Sequence, residues 1–377
     1  MSPHDGPDIC ILLDSFQGGG IQQMRLNLAA EFRRRGAVVD LVTLSDEGPL
    51  RSTVPEGVRT VMLGTERASR SIPALRRYLR DEQPQALLCH HHLVALAVWA
   101  GRSARTPVRI VASRHIMRLP VADGLGAAIR DQVARRVDAW HFGRTDQVVA
   151  VSEAVADDFS DLVGLPRETI AVVNNPVVTP TIRERVRTHE QTSMGEPSRE
   201  RPPVILGVGR LDQKKDFATL IRAMRPVADA SEEARLRILG EGPYRRDLES
   251  LVRELNLGDR VELPGYSNDA FGEMLNARVF VLSSLREAFG NVVVEAMAAG
   301  CRVVSTNGPG APPEILGQGR WGWLVPVRDH DTMARAILEA LDDEDRDARE
   351  RAAVYSVEAA ADRYLELLLP SRSAEWR

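Results

Sequence analysis

Lysine is almost absent from this chain. Two of its 49 basic side chains are lysine, Lys214 and Lys215, and all the others are arginine. A lysine ammonium is a compact, strongly hydrated point charge, whereas an arginine guanidinium is a wide planar fork. The difference matters in a buried phosphate site, where a lysine acts as a point charge. The adjacent lysines are therefore either a solvated surface pair or part of a phosphate-binding loop.

Cysteine is also scarce. Cys10, Cys89 and Cys301 are the only three, they lie far apart, and no C-x-x-C spacing occurs. Cys10 and Cys89 stand in apolar, strand-like runs. This favours buried thiols in a reducing cytoplasm over a disulfide framework or a redox motif.

Long hydrophobic runs are missing as well. Residues 1–8 have neither the basic nor the apolar region of a signal peptide. Only 83–101 approaches the length of a membrane span without an acidic or basic side chain, and it contains Pro84 and three histidines. Such a segment does not predict a span. We expect a cytoplasmic protein, either soluble or peripheral at the inner face of the membrane.

The chain has no large excess of charge. Its formal net charge is −4, and 44% hydrophobic with 27% charged residues is typical of a soluble globular protein. This balance gives no general attraction to nucleic acid. Arginine is concentrated locally, because 102–136 contains eight arginines and only Asp123 and Asp131 as acids. That stretch is either a solvated face or a surface that touches anionic lipid.

Short apolar runs alternate with helical patterns along most of the chain. This alternation predicts βαβ units and an α/β fold of doubly wound parallel sheets. The predicted strands are 9–13, 38–44, 86–89, 109–112, 147–151 and 170–173, then 204–208, 235–239, 260–263, 279–282, 302–305 and 323–325.

The alternation pauses once, at a polar stretch with prolines at both ends. We therefore predict a Rossmann-like domain over 1–178, a linker over 179–203, and a second Rossmann-like domain over 204–355. The C-terminal segment 356–377 is expected to contain a helix that could return to the first domain. In such folds a ligand binds at the carboxyl ends of the strands, so we expect a central cleft between the two sheets.

The densest chemical signal lies in 287–300, just after a predicted strand. Gly290 and Asn291 suit the turn and start of a helix, Glu295 falls one turn inside it, and Glu287 lies in the loop before it. A helix N-terminus offers free N–H groups and a positive dipole end to a diphosphate. The two carboxylates would flank that anion. They could also be a helix-capping arrangement only.

This spacing resembles the E-x7-E motif of retaining glycosyltransferases of the GT-B fold, in particular glycosyltransferase family 4. The resemblance covers nearly the whole chain and depends on six segments in the family's order. Besides 287–295, they are Gly18-Gly19-Gly20, Val148 to Ser152, Asn175-Pro176, Gly209-Arg210-Leu211 with Lys215, and Pro313-Glu314-Ile315. The sequence departs from the family pattern at Arg302, at Asp216 and in the proline-rich loop 308–313.

The resemblance implies a role for each matching residue in the C-terminal, nucleotide-sugar-binding domain. Arg210 and Lys215 would neutralise the diphosphate of the donor. Glu295 would accept hydrogen bonds from ribose hydroxyls, and Glu287 from hydroxyls of the donor sugar. Backbone amides would hold the phosphates or the sugar; they belong to Phe289, Gly290, Asn291 and Val292.

In the N-terminal, acceptor-binding domain the resemblance implies three further residues. Gly19 and Gly20 would let the backbone approach the donor phosphate or the acceptor, where a Cβ would block it. His115 matches a histidine that lines the family's reaction centre. The glycine loop could instead be a plain tight turn or a dinucleotide loop, although it lacks G-x-G-x-x-G.

Three consecutive histidines, His90, His91 and His92, could indicate a metal site. Adjacent residues at a strand end point to opposite faces, so at most two of them could share a metal. One of them could instead line the acceptor cleft. We identify no acidic pair with the spacing of a metal-binding D-x-D element between a strand and its turn. The leaving diphosphate would then be stabilised by Arg210, Lys215 and the helix N-terminus.

The resemblance therefore implies a retaining, metal-independent glycosyltransferase without a cofactor. Its donor would be a nucleotide-diphosphate sugar, UDP-sugar in the first place. The acceptor would be a glycan, a lipid-linked molecule or a small molecule, in cell-envelope glycan or glycolipid synthesis, with peripheral contact to anionic membrane. The alternatives are a GT-B epimerase and a non-catalytic nucleotide-sugar-binding subunit. A phosphorylase would need a pyridoxal phosphate lysine, and only Lys214 and Lys215 are available.

Overall fold

The computed structural model describes residues 6–17, 19–64, 68–117, 125–192 and 201–371. The chain divides into two compact units. Unit 1 comprises Met1–Pro176 and Val357–Arg377, and unit 2 comprises Val177–Ser356.

Unit 1 contains a parallel sheet that has seven strands in the described residues, in the order β3-β2-β1-β4-β5-β6-β7. The strands are β1 (Ile9–Leu13), β2 (Val39–Thr43), β3 (Arg59–Met62), β4 (Ala86–His90), β5 (Arg109–Arg114), β6 (Gln147–Ala150) and β7 (Ile170–Val172). Its helices are α1 (Gly20–Arg34), α2 (Ile72–Glu82), α3 (Leu93–Ala104), α4 (Leu125–Phe142), α5 (Glu153–Val163) and the C-terminal α14 (Val357–Leu368).

Unit 2 contains a second parallel sheet, with six strands in the described part, in the order β10-β9-β8-β11-β12-β13. The strands are β8 (Val204–Val208), β9 (Arg235–Leu239), β10 (Val261–Gly265), β11 (Val279–Leu282), β12 (Arg302–Thr306) and β13 (Trp323–Val325). The helices are α6 (Pro180–Thr192), α7 (Phe217–Ala230), α8 (Arg245–Glu254), α9 (Ala270–Asn276), α10 (Asn291–Ala298), α11 (Pro312–Ile315), α12 (His330–Asp342) and α13 (Arg349–Ala353).

The central strands are apolar on both faces because helices cover each sheet from both sides. All five residues of β1, β2 and β4 are buried. In unit 1 the core is closed by Tyr364 and Leu368 of α14, which pack with β1 and α1 residues in one cluster. In unit 2 the cluster joins strand residues such as Val281 to Met224 of α7 and Ile337 of α12. The prediction of doubly wound parallel sheets is confirmed.

Two elements differ from the prediction. β3 was missed because it lies at the edge of the sheet and buries none of its residues fully, so it has no apolar run. The stretch predicted as a linker contains helix α6, which belongs to unit 2 and buries none of its residues. It is stabilised locally, since Thr179 Oγ1 accepts from the amide of Ile182 at 3.2 Å and Glu184 pairs with Arg187. Residues 193–200 of that stretch lie outside the described residues.

Candidate functional site

The unit 2 site is set by the order of its strands. β8 and β11 are neighbours in the sheet although β9 and β10 lie between them in sequence. The chain reverses its winding direction at this point, and a crevice for ligands opens beyond the carboxyl ends of the two strands. The loop after β8 carries Arg210, Lys214 and Lys215, and the loop after β11 carries Glu287. Two segments far apart in sequence thus meet at one edge.

Lys215 and Glu287 meet directly. Lys215 Nζ donates to Glu287 Oε2 at 2.7 Å, and Lys214 Nζ lies 3.4 Å from Glu287 Oε1. Both side chains of the shorter pair are mostly buried, with 17% and 14% exposure. The family resemblance gave these residues to different parts of the donor, whereas the structure joins them in one ion pair.

The loops that carry this pair are bonded to each other through the backbone. The amide of Leu285 donates to Lys214 O at 2.9 Å, and Ser283 Oγ donates to Lys215 O at 2.7 Å. The aliphatic part of Lys215 lies against Gly209, where an added Cβ would come within 3.0 Å of Lys215 Cε. Gly209 therefore leaves room for the lysine, and the lysine is held in place over it.

Glu287 is fixed on its other side by the loop before α11. Its amide donates to Pro309 O at 3.0 Å, and its carbonyl accepts from Ala311 at 3.1 Å. Gly310 has φ 131, and a Cβ there would lie 1.7 Å from Glu287 O, so only glycine fits. The proline-rich loop thus supports Glu287.

The Glu287 carboxylate is ionised because of its lysines. Burial by itself would raise its pKa, but the charges and hydrogen bonds of Lys215 and Lys214 outweigh burial and lower the pKa below the ordinary glutamate value. An ionised, oriented carboxylate can accept hydrogen bonds from sugar hydroxyls while its second oxygen stays on Lys215.

Glu295, unlike Glu287, has no charged partner in the described part of the chain to keep its carboxyl group ionised. It lies in α10, partly buried, and it has no hydrogen-bond or ion-pair partner among the described residues. Burial raises its pKa to about 7. An acceptor group held without a protein partner is suited to a ligand that brings hydroxyl donors.

The residues between the two glutamates form the start of α10. Gly290 caps the helix in a left-handed conformation with φ 93, and Asn291 is the first helical residue. Amides of a first helical turn, such as that of Val292, have no carbonyl partner within the helix and point beyond its end. The Phe289 side chain is buried against the Tyr355 ring at 5.7 Å, so only its backbone can serve a ligand.

Arg210 stands at the same edge of the sheet. Its side chain is exposed, and it forms no ion pair with any described residue. It is therefore available to an anion, whereas Lys215 already contacts Glu287 and would share its ammonium with an anion. Asp216, where the family often has glycine, adopts a left-handed conformation with φ 46, and its Oδ2 accepts from Thr219 Oγ1 at 2.7 Å. An aspartate can occupy such a position with a local hydrogen bond, which explains this departure from the family pattern.

The other predicted residues lie in unit 1. Gly19 has φ 133 and precedes α1, Gly20 is the first residue of that helix, and both are exposed. Gly18 lies outside the described residues. His115, just beyond β5, is buried, and its Nε2 lies 2.8 Å from Ser113 Oγ. Burial, followed by the charge of Arg25, holds the pKa of His115 well below its ordinary value. The ring is neutral near pH 7, and its Nδ1 has no partner among the described residues.

Arg25 is a residue of this region that the sequence did not single out. It lies on α1, it is 1% exposed, and it donates from Nη2 to Ser113 Oγ. Its burial could have been predicted from helical periodicity, because Arg25 shares a helical face with Leu28 and Phe32, which are buried. A single arginine on an apolar face is a signal for a buried charge, but it was hidden among the many arginines of this chain.

The three histidines form no recognisable metal centre. Around His90 the rings of His91 and His92 lie 6.4 and 6.2 Å away between centroids. Within the described residues no three His, Cys, Asp or Glu side chains are grouped to hold a metal ion. Asp329 and Asp331, after β13, do have D-x-D spacing, so the sequence-based statement that no such pair occurs is wrong. Asp329 caps α12, since its carboxylate accepts from the Thr332 amide at 2.9 Å.

The cysteines and Arg302 have structural surroundings. All three cysteines are free and buried, which confirms the prediction of buried thiols for Cys10 and Cys89. Arg302 is buried and pairs with Asp343 at 3.0 Å, which gives it a structural role at a position where the family often has proline. No helix in the described part of the chain has the length and hydrophobicity needed to cross a bilayer.

Comparison with protein-family models accounts for nearly the whole chain. The model described as Glycosyltransferase Family 4 matches residues 18–179, and the model described as Glycosyl transferases group 1 matches residues 189–357. The chain belongs to this family of group 1 glycosyl transferases. Its two halves match the family's two domain models in the expected order.

Curated relatives of this family cover parts of the chain. An N-acetylgalactosamine-N,N'-diacetylbacillosaminyl-diphospho-undecaprenol 4-alpha-N-acetylgalactosaminyltransferase of Campylobacter jejuni is 37% identical over 140 residues, which are 37% of this chain and 38% of that protein. LpsE of Rhizobium meliloti, a lipopolysaccharide core biosynthesis glycosyltransferase, is 32% identical over 235 residues, which are 60% of this chain and 65% of LpsE. The matches thus span less than two thirds of these relatives.

Solved structures of low sequence identity share the fold. HepE of Anabaena, crystallised with UDP and glucose, superposes with a TM-score of 0.75 at 19% identity over 96% of this chain and 99% of HepE. TarM of S. aureus gives a TM-score of 0.76 at 13% identity over 98% of this chain and 100% of TarM. With the two parallel sheets, this likeness confirms the predicted GT-B fold class.

Proposed function

We propose that this chain is a glycosyltransferase that transfers a sugar from a nucleoside-diphosphate sugar to an acceptor hydroxyl, with retention at the anomeric carbon. The observation that carries the proposal is the ion pair between Lys215 and Glu287 at the β8–β11 edge, with Arg210 unpaired beside it in sequence. Such an edge suits a ligand that combines a diphosphate with sugar hydroxyls.

In this proposal Lys215, Arg210 and the first turn of α10 offset the charge that develops on the leaving diphosphate. Glu287 accepts from hydroxyls of the donor sugar, and Glu295 accepts from the ribose. The bond between the anomeric carbon and the phosphate oxygen breaks as the acceptor oxygen bonds to that carbon on the same face. The proton of the acceptor hydroxyl passes to the leaving phosphate. These side chains and amides supply the positive charge, so the reaction needs no metal ion.

The nucleotide and the pathway are part of the proposal. HepE, whose fold is similar, was crystallised with UDP, which makes UDP-sugars the first donors to test. The Campylobacter relative is named for a diphospho-undecaprenol acceptor, and LpsE for lipopolysaccharide core synthesis. We therefore propose an acceptor of the cell-envelope glycan class, carried on a lipid or released from one.

One surface of unit 1 has the features expected for binding to an anionic membrane. On α4, the exposed side chains Ile129, Val133 and Val137 follow each other at four-residue spacing, with exposures of 54%, 56% and 47%. Trp99 of α3 stacks on Trp140 of α4 at 5.2 Å between centroids. We call these five residues the α4 apolar stripe.

Arginines border the stripe. Arg102, Arg130 and Arg136 are exposed, and Arg144 lies over the Trp140 ring at 4.0 Å. Apolar side chains flanked by arginine match a bilayer with anionic head groups, because the side chains enter the interface while the guanidinium groups meet phosphates. We propose this surface as the membrane contact.

The test of the catalytic proposal is a donor screen on the full chain. UDP-, GDP- and ADP-sugars are incubated with the protein, and release of nucleoside diphosphate is measured beside its binding by calorimetry. We expect one nucleotide class to bind and its sugar to be slowly hydrolysed, with initial rates unchanged in EDTA within about twofold. If no nucleoside diphosphate binds, the proposal is wrong. Loss of activity in EDTA that Mn²⁺ or Mg²⁺ restores would overturn the metal-independent mechanism.

A further inference from the structure

Unit 1 buries one charge that has no opposite charge beside it. The Arg25 guanidinium lies beyond the carboxyl ends of β4 and β5, where Nη2 donates to Ser113 Oγ and lies 3.4 Å from His115 Nε2. No Asp or Glu among the described residues forms an ion pair with it, although many other arginines of the chain have such a partner, Arg35 and Arg59 among them. An arginine remains charged in a protein interior.

Among the described residues, the thiol and imidazole groups near Arg25 and Arg114 supply no negative charge. Burial raises the pKa of the Cys89 thiol to about 12 despite the nearby guanidinium. Burial, followed by the charge of Arg25, lowers the pKa of His90 to about 2. For His91, burial and then the charge of Arg114 lower the pKa to about 4. These groups are uncharged near pH 7, as is His115.

The remaining neighbours do not change this balance. Tyr364 of α14 places its ring 5.5 Å from Arg25 Cζ, which is a weaker compensation than a carboxylate. Arg114 adds a second cation to the region, and its own partner, Asp138, lies 3.7 Å away on α4. A buried charge without a counter-charge is costly to the fold, and such sites are kept where a ligand brings the opposite charge.

Several polar atoms at this place are also unused. Arg25 Nε, His90 Nδ1, His115 Nδ1 and both ring nitrogens of His91 are buried without a hydrogen-bond partner among the described residues. Buried polar atoms are nearly always paired in native proteins. These atoms belong to Arg25 and to histidines beside Arg25 or Arg114. They lie near the β1–β4 edge, where the winding of the unit 1 sheet reverses, and they have the composition of a ligand site.

We propose that Arg25 binds an oxyanion of the acceptor, a carboxylate or a phosphate group, and that the unpaired ring nitrogens of His90, His91 and His115 contact the polar groups next to it. The acceptor would thus be an acidic sugar or a phosphorylated one. That the anion belongs to the acceptor rests on the proposed function, in which the donor diphosphate is held in unit 2 by Lys215 and Arg210. The anion site itself depends only on unit 1.

The experiment uses the full chain with UDP present at saturation, so that the diphosphate site is filled. D-glucuronate, D-glucose 6-phosphate and neutral D-glucose are the probes, and binding is measured by calorimetry and by thermal shift. We expect at least one charged probe to bind on the order of tenfold more tightly than glucose. Arg25→Met should abolish that preference, and Arg25→Lys should keep part of it. Arg33→Met, an exposed position on the same helix, is the matched control and should bind like wild type.

The stability of the unliganded protein gives a second readout. If Arg25 serves a ligand, Arg25→Met removes an uncompensated buried charge, and the Tm should stay the same or rise. A clear fall in Tm would show that Arg25 supports the fold, and the inference would be wrong. If Arg25→Met does not fold, that result also assigns a structural role and overturns the inference.

The other outcomes separate this inference from the proposed function. If wild type binds UDP but prefers neither charged probe over glucose, the anion site is refuted and the proposed function stands. If Arg25→Met weakens UDP as much as it weakens the charged sugars, the oxyanion is that of the donor, and the assignment to the acceptor fails. A preference for glucuronate identifies the carboxylate, and a preference for glucose 6-phosphate identifies the phosphate; either result supports the site.

Discussion

Lys215 Nζ and Glu287 Oε2 lie 2.7 Å apart although the two residues are 72 positions apart in sequence. The ion pair couples the group proposed to bind the donor phosphates to the group proposed to bind the donor sugar. In the proposed function a donor phosphate shares the Lys215 ammonium with one oxygen of Glu287, while the other oxygen accepts from a sugar hydroxyl. The position of each side chain is therefore set partly by the other.

The two lysines should differ in importance. Lys215 is mostly buried and bonded to Glu287, whereas Lys214 is 43% exposed and 3.4 Å from the same carboxylate. We expect Lys215→Ala to lower the transfer or donor hydrolysis rate by about 10²-fold or more, because it removes a charge-assisted contact from a shielded site. Lys214→Ala, the matched control, should lower it by much less. Steady-state rates decide, and equal activities of Lys215→Ala and wild type would refute the assignment.

The ion pair between Lys215 and Glu287 should also contribute to the free energy of unfolding. Lys215→Met leaves Glu287 with two longer contacts, from Lys214 Nζ and Ser284 Oγ, both at 3.4 Å. We expect a loss of about 1.5–3 kcal/mol in the free energy of unfolding. In the double variant Lys215→Met/Glu287→Gln the loss should be smaller than the sum of the single losses, because neither charge is left unpaired. Urea denaturation of the four proteins measures the coupling. Additive losses would show that the two side chains do not interact in solution.

The two glutamates should respond differently to a nucleoside diphosphate. Glu295→Gln removes the carboxylate proposed for the ribose, so UDP should bind less tightly, by roughly 1.5–3 kcal/mol per lost charge-assisted contact. Glu287→Gln releases Lys215 from its ion pair, so UDP should bind at least as tightly as to wild type while turnover falls. Calorimetry with UDP tests both variants. The division of roles is incorrect if Glu287→Gln weakens UDP as much as Glu295→Gln does.

The sequence predicted local features better than spatial ones. Buried strands such as β8 and β11 were recognisable from their apolar runs, whereas β3 has no such run because it lies at a sheet edge. The loops after β8 and β11 could be assigned chemistry from their residues. Their contact could not be predicted from local pattern, since it depends on the order of strands in the folded sheet. For the same reason Glu287 and Lys215 were given separate roles although they are bonded.

For Arg25 the sequence could predict burial but not the lack of a counter-charge. Its burial follows from helical periodicity, but the absence of a counter-charge is a property of three elements, α1, β4 and β5, which only the fold brings together. The Glu295 carboxyl is similar, because its sequence position gives its place in α10 but not the burial that raises its pKa.

The α4 apolar stripe should determine membrane binding. We expect wild type to bind vesicles of phosphatidylglycerol mixed with phosphatidylcholine and to bind pure phosphatidylcholine much more weakly, since each arginine near an anionic surface contributes about 1 kcal/mol. The double variant Ile129→Asn/Val133→Asn should weaken binding by about tenfold or more. Met62→Asn, which changes an exposed apolar side chain on β3, is the control.

Flotation of the protein with vesicles measures this binding. Size exclusion of the same variants distinguishes the other possible occupant of the stripe. If wild type does not float with anionic vesicles, or if it forms a dimer that Ile129→Asn/Val133→Asn dissociates, the membrane assignment is wrong.

Glu295 should make the stability of the protein depend on pH. Its pKa in the folded state is raised to about 7 by burial, above the ordinary value of 4.5. Between these two values the folded state holds a proton that the unfolded state has lost, so stability falls as pH rises through this window. Below pH 4.5 the carboxyl is protonated in both states and costs nothing. Above pH 7 the buried carboxylate destabilises the fold by up to about 3 kcal/mol, because a tenfold change in proton affinity corresponds to about 1.4 kcal/mol.

Glu295→Gln removes this titration. We expect the variant to match wild type near pH 4.5 and to exceed its free energy of unfolding by about 2–3 kcal/mol at pH 8. Glu254→Gln, an exposed glutamate on α8, is the control and should change stability little at either pH. Urea denaturation across the pH range gives both curves. A constant difference between wild type and Glu295→Gln from pH 4.5 to 8 would contradict the raised pKa. A variant that is more stable at pH 8 yet binds UDP less tightly would show that this carboxylate is kept for its ligand at the expense of the fold.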